Sequence, residues 1–191
     1  MESKLNKVVV VGDSGVGKTS ILHKYVHGTL SDHHQTVGAN SVSIQIEESG
    51  ETEVFSVWDT AGQEQFHSFI PFYARHASIA LVVYDQTSIE SFRSVDYWYQ
   101  LLKSSLEVQD IILVGNKNDL PPQVSIANAV TYAENANIEF FRTSALTGDG
   151  IQMLFIKIGQ IIQQKRSSIE PVTEINFTWD KNPETNKKNC C

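Results

Sequence analysis

Residues Gly12 to Thr19, GDSGVGKT, fill every fixed position of the pattern G-x-x-x-x-G-K-[ST]. The chemistry this implies is phosphate binding. Glycine at 12, 15 and 17 permits dihedrals that a Cβ would block, so successive N–H groups can turn inward around an anion. The segment Asp13, Ser14, Gly15, Val16, Gly17, Lys18, Thr19 and Ser20 is therefore the expected cradle, with Lys18 reaching the β- and γ-phosphates and the Thr19 hydroxyl ligating Mg²⁺. A second string, Trp58-Asp59-Thr60-Ala61-Gly62-Gln63-Glu64, supplies partners for that cradle. Asp59 suits a Mg²⁺ role, usually through water; Gly62 offers an unobstructed N–H to a γ-phosphate; Gln63 carries a donor and an acceptor and can orient an attacking water. In the third string, Asn116-Lys117-Asn118-Asp119, the Asp119 carboxylate can accept from two adjacent N–H groups. Guanine presents that pair on its N1 and N2 edge and adenine does not. Asn116 would brace the loop and the Lys117 stem would lie on the base. In the fourth, Thr143-Ser144-Ala145, the Ala145 N–H could donate to guanine O6. Each string is weaker alone than in this order and spacing.

These strings need elements to hold them. Lys7–Val11 reads as a buried strand ahead of the glycine loop, and Ser20–Tyr25 reads as the start of a helix behind it. Val42, Ile44 and Ile46 alternate with polar residues, Glu48–Glu51 turns the chain, and Val54–Trp58 returns, which predicts an antiparallel hairpin. Ile79–Tyr84 and Ile111–Val114 are continuous apolar runs of the kind that form central parallel strands, and Ile138–Phe141 is a weaker one. Thr87 and Glu90 form a capping box ahead of a face of Phe92, Val95, Tyr99 and Leu102. Ile126, Ala129, Val130 and Ala133 mark a further helix, and Ile151, Leu154, Phe155, Ile158, Ile161 and Ile162 form the cleanest stripe. The prediction is an α/β P-loop NTPase fold: a six-stranded, mostly parallel sheet with one antiparallel edge strand and helices on both faces. Each motif follows a strand, where ligands of such sheets bind.

The chain of 191 residues suffices for one domain, expected over 1–166; from 167 to 191 periodicity is lost and a flexible tail is expected. The formal net charge of −7 argues against a nucleic-acid partner. No apolar run is long enough for a transmembrane helix. The N-terminus reads as neither a signal peptide nor a myristoylation site, because residue 2 is Glu. The two cysteines are Cys190 and Cys191, so no disulfide is expected across the domain, which suits a reducing cytosol. Adjacent cysteines lack zinc spacing, and the His23/His27 and His33/His34 pairs lack a carboxylate or thiol partner, so the histidines read as ordinary surface residues.

In order and content these motifs, over residues 4 to 166, resemble the small Ras-type GTPases. The terminal Cys190-Cys191 resembles the Rab family of membrane-traffic GTPases, as do Trp58, Phe72–Ala77 and Ser91-Phe92. Thr36-Val37-Gly38-Ala39 and Pro71 ahead of Tyr73 are similar to the early-endosomal branch. The resemblance implies a slow, GAP-dependent GTPase switch in vesicular membrane traffic that binds GTP/GDP with Mg²⁺. It implies Thr36 as the switch I ligand of Mg²⁺ beside Thr19 and Asp59, with switch I over 28–41 and switch II over 59–76. It implies Gln63 and Lys18 in catalysis, base contacts from Asn116, Lys117, Asp119, Ser144, Ala145 and Leu146, and effector contacts at Trp58 and Tyr73. It implies an exchange factor, a GAP, a GDP-dissociation inhibitor, an escort protein and effectors as partners of a monomer. It also implies two prenyl groups on Cys190 and Cys191, enough for stable anchoring on the cytoplasmic face of an endosomal membrane. Lys181, Lys187 and Lys188 face four carboxylates from 167 onward and give no polybasic patch.

Several positions depart from that family. Ser41 stands where an aromatic effector contact is usual, and Lys18 to Thr36 is one residue short. Leu30 takes the place of an aromatic at the guanine edge, Leu146 that of a lysine, and Ser14 that of a glycine that favours hydrolysis. Faster nucleotide release is the expectation. A pseudo-GTPase that binds without turnover is the alternative. A P-loop metabolic kinase would need a lid for which no residues remain.

Overall fold

The computed structural model describes residues 6–30, 36, 38–48, 50–62 and 68–168. Strand β1 (Asn6–Val11) lies near the middle of a six-stranded sheet ordered β2-β3-β1-β4-β5-β6. Strands β2 (Ala39–Glu48) and β3 (Glu51–Thr60) form the hairpin, antiparallel with Val42 opposite Val57. All other pairings, of β1 with β3 and β4 (Ile79–Asp85), β4 with β5 (Asp110–Asn116), and β5 with β6 (Glu139–Arg142), are parallel. The expected single antiparallel edge strand is β2.

Two apolar layers cover the sheet. Val8, Val10, Leu81 and Val114 point to the side that packs α1 (Lys18–His27) and α5 (Ile151–Ser168). Val9, Val11, Val82 and Leu113 point to the other, which packs α2 (Ile70–Ala74), α3 (Ile89–Gln100) and α4 (Ile126–Ala136). The alternation along β1 and β4 is hidden in the sequence because both faces want β-branched residues. On the first face Tyr25 of α1 stacks on Phe155 of α5, ring centroids 3.8 Å apart.

Local details differ from the sequence reading. The cap of α3 is Ser88, whose hydroxyl accepts the Ser91 N–H at 3.2 Å; the Thr87 hydroxyl instead donates to Asp85 Oδ1 at 2.7 Å. A nearby carboxylate, already fixed at the strand end, takes Thr87 away from the capping role. Leu102 lies past α3, in a π-helical turn over Leu101–Ser105, and α3 buries Trp98 alongside Val95. In α4 only the alanines of the expected stripe are buried, while Ile126 and Val130 are exposed, because small residues seat the helix close to the sheet. The α5 stripe is buried as read, with Ile161 at its half-exposed margin.

Helix α5 is also tied to the hairpin by charge. Arg166 donates to Glu51 Oε2 at 2.6 Å and lies 2.8 Å from Oε1 of the buried Glu53, and Gln163 donates to Glu51 at 2.8 Å. Among the described residues no helix is long and apolar enough to cross a membrane.

Candidate functional site

The segments at and just after the carboxyl ends of β1, β3, β5 and β6 line one cleft of about 420 Å³, within the size range of small-molecule sites. Its walls include Ser14, Gly15, Gly17, Lys18, Thr19, Ser20, Thr36 and Gly62 at one end, and Asn116, Lys117, Asp119, Ala145 and Leu146 at the other. Leu30 and Leu120 join Leu146 in giving the second end an apolar rim. The four sequence strings, separated by up to 133 positions, thus meet in one place.

At the first end the loop from β1 enters α1 through Gly17, whose φ of 97° is left-handed. A Cβ there would run into Asn116 Nδ2, so position 17 needs glycine both for its dihedral and for this approach. Gly62 is equally confined: a Cβ would meet Lys18 Nζ and the Asp13 carbonyl. Lys18 is buried, and its ammonium donates to the carbonyls of Gly12 at 2.8 Å and Asp13 at 2.7 Å. Burial pulls its pKa down to about 8, against the opposing pull of Asp59 and Asp13. The loop thus holds a cation with its donors on exchangeable carbonyls, ready for a stronger acceptor.

Beside it three oxygens converge. Thr19 Oγ1 donates to Asp59 Oδ2 at 2.6 Å, lies 2.8 Å from Thr36 Oγ1, and Thr36 Oγ1 stands 3.4 Å from the same carboxylate oxygen. Burial raises the Asp59 pKa, with Thr19, Lys18 and Thr36 opposing. Its other oxygen, Oδ1, is buried and has no hydrogen-bond partner among the described residues. An orphaned carboxylate oxygen in a cluster of hydroxyls fits a hard divalent cation such as Mg²⁺.

At the second end Asn116, buried at the last position of β5, binds three segments. Its Nδ2 donates to the Val16 carbonyl at 2.9 Å, and its Oδ1 accepts from Thr143 Oγ1 and from the Ala145 N–H, both at 3.2 Å. The Ala145 N–H expected to face a base thus already has a partner within the loop. Exposed Asp119 accepts from Ser144 Oγ at 2.5 Å, which fixes the carboxylate at the cleft rim. Lys117, in a left-handed conformation at φ 63°, is 2.6 Å from Asp85 Oδ2. For Asp85, burial acts to raise the pKa, but Lys117 and two donors from Thr87 outweigh it and the net shift is downward.

Asp13, Val16, Asp59 and Ser144 stand behind the cleft wall and support it rather than line it. Val16 is buried, and the Asp13 side chain turns to helix α3, where the Trp98 indole N–H donates to its Oδ1 at 2.8 Å. Gln63, Cys190, Cys191, His33 and His34 lie outside the described residues, as do parts of both switch segments. Sequence reasoning missed Asp85, Gln86 and Trp98. Asp85 and Gln86 end an apolar strand in polar residues, as Asn116 does, and that change of character was the available signal. Gln86 Nε2 donates to the Gly115 carbonyl at 2.8 Å and its Oε1 accepts from Arg142 at 3.0 Å, which ties β4, β5 and β6 together under the second end. A tryptophan on a core face demands an acceptor for its N–H, but nothing in its spacing names Asp13. At the hairpin side, Trp58 stacks against Tyr73 at 6.5 Å and carries the Lys7 ammonium 4.1 Å over its ring. Phe72, edge-on to Tyr73 at 5.6 Å, is exposed, and so is Phe69.

A family model described as Ras family matches residues 7–164. The chain is 41% identical to the Ras-related protein Rab-5B of Plasmodium falciparum over 162 residues, 83% of this chain and 78% of that one. It is 36% identical to human Ras-related protein Rab-4B over 170 residues, covering 87% and 80% of the two chains. It is 34% identical to Ras-related protein Rab-5A of Dictyostelium discoideum over 189 residues, covering 97% and 94%.

Proposed function

The chain belongs to the Ras family, with Rab proteins of the early-endosomal branch as its relatives, and from that premise we propose how each end of the cleft serves a GTPase switch of membrane traffic. The protein binds GTP and GDP and hydrolyses GTP. The phosphates lie on the N–H groups of 13–20 and on the helix α1 N-terminus. Lys18 leaves its two loop carbonyls for phosphate oxygens, an exchange of neutral for charged acceptors. Thr19, Thr36 and Asp59 would hold Mg²⁺, which would offset negative charge on the phosphates. Asp119 reads the guanine edge, Ser144 orients Asp119, Lys117 lies along the base under the hold of Asp85, and Asn116 locks the base end to the phosphate end. Gln63 orients the water that attacks the γ-phosphorus as the bond to the β-phosphate oxygen breaks. Hydrolysis is slow alone and accelerated by a GAP, and an exchange factor, a GDP-dissociation inhibitor and an escort protein complete the cycle. Loss of the γ-phosphate frees Thr36 and Gly62 and with them both switches. Effectors read Trp58 and Tyr73. Prenylated Cys190 and Cys191 hold the protein on the cytoplasmic face of an endosomal membrane.

The observation that carries this reading is the pairing, within one cleft, of the Thr19–Thr36–Asp59 oxygen cluster with the Ser144–Asp119 carboxylate. The test is to load the purified chain with GTP or ATP in Mg²⁺ and follow bound nucleotide and released phosphate. Selective retention of guanine nucleotide, lost with EDTA, and GAP-stimulated hydrolysis abolished by Gln63→Leu are expected. Equal retention of ATP would refute the role of Asp119, and stimulated hydrolysis unaffected by Gln63→Leu would refute that of Gln63.

A further inference from the structure

Asp13 is the one carboxylate within the glycine loop itself. Its backbone carbonyl accepts from Lys18 and packs where a Cβ at Gly62 would fall, so it sits at the meeting point of both phosphate-contacting segments. A negative side chain there repels the phosphates that the loop exists to hold. The structure shows where that charge goes. Asp13 Oδ1 accepts from Nε1 of Trp98, 85 residues along the chain, at 2.8 Å. Trp98 is 1% exposed, wedged into the second core layer with Val95, so its ring cannot follow the loop if the loop moves. The neighbours Ser14 and Gly15 line the cleft and Asp13 does not.

We propose that Trp98 is a positioning residue for nucleotide binding, whose indole N–H holds the Asp13 carboxylate away from the phosphates and fixes the turn that presents Lys18. This rests on the guanine-nucleotide reading of the cleft. The N–H to a charged acceptor is a strong hydrogen bond. Without it the carboxylate is free to turn toward the phosphates, and the cost rises with their charge, so GTP suffers more than GDP.

The test compares the full chain with Trp98→Phe, which keeps a ring in the core and removes the N–H, in two backgrounds: native Asp13 and Asp13→Asn. Expected is a loss of GTP affinity of about tenfold or more for Trp98→Phe, the scale of a lost hydrogen bond to a charged group. GDP affinity should fall less, and in the Asp13→Asn background, where no charge needs restraining, most of the loss should vanish. A merely structural role for Trp98 would lower both affinities equally in both backgrounds, and that result overturns the proposal. So do affinities within twofold of the parent. Should Trp98→Phe fold poorly, ¹⁵N-labelled parent protein decides: the Trp98 indole N–H resonance should be protected from exchange and should move and lose protection in Asp13→Ala, and an indole indifferent to that change overturns the proposal. A parent chain that binds neither GTP nor GDP fails the cleft reading and this inference together, whereas a parent that binds both and a Trp98→Phe chain that matches it fail this inference alone.

Discussion

Asn116→Ala tests whether one buried amide holds the two ends of the cleft together. The side chain makes three hydrogen bonds, to Val16, Thr143 and Ala145, and all four residues are at most 6% exposed. Truncation to alanine leaves the Val16 carbonyl, the Thr143 hydroxyl and the Ala145 N–H buried without their partner. At about 1 kcal/mol for each lost bond, and more where a buried group stays dry, the cost is about 3–5 kcal/mol. That is a large share of the roughly 5–15 kcal/mol that holds a domain of this kind folded. Urea unfolding of nucleotide-free protein reads it as a lower midpoint at unchanged slope. Thr143→Val, which removes one of the three bonds, should cost about 1 kcal/mol. GDP should also leave Asn116→Ala at least about tenfold faster, because 1.4 kcal/mol of lost coupling is enough for that. A destabilisation of Asn116→Ala no larger than that of Thr143→Val, or unchanged GDP release, would refute the coupling.

Two further outcomes follow from the second end of the cleft. The Asp85 carboxyl titrates below its ordinary value, so its ion pair with Lys117 stabilises the fold above the unfolded carboxylate range near pH 4 and is lost as pH falls through the folded value. Asp85→Asn should therefore lose less stability than the parent between about pH 5 and 3 and release GDP faster at neutral pH; parallel stability curves would contradict this. Leu30 and Leu146, on the cleft rim, replace an aromatic and a lysine expected at the base, and Leu30→Phe or Leu146→Lys should slow GDP release severalfold, by about 0.5–1 kcal/mol each; slow release in the parent that neither change alters would remove the idea of a loose base grip.

How much was legible depended on sequence distance. The glycine loop, Asn116 and Asp119 were readable because their chemistry is written in short strings after strands. The hairpin, the parallel central strands and the α5 stripe followed from apolar runs and their periods, whereas the order of the strands in the sheet came from the structure alone. The Ser88 cap was off by one residue, because the competitor for Thr87 was a carboxylate two positions back whose side-chain direction no periodicity reveals. Trp98 with Asp13, and Asp85 with Lys117, were not legible, since each pairs groups from separate elements. The exposure of Ile126 and Val130 shows the limit of periodicity: it finds which face is apolar but not how wide a strip of it the sheet covers.

The ion pairs of Arg166 have a mechanical meaning. The chain beyond Ser168 carries the cysteines proposed to bear lipid, so a membrane tugging on it loads the end of α5 first. Arg166 passes that load sideways into β3 through Glu51 and Glu53, the strand that ends at Asp59 and Thr60. The route has two members, a hydrogen-bonded ion pair to the exposed Glu51, whose hold falls as salt screens it, and a closer-packed contact with the buried Glu53. If the proposed lipid anchor is loaded in this way, the tether is geared to the hairpin that joins the two expected switch segments, with a stiffness set in part by ionic strength.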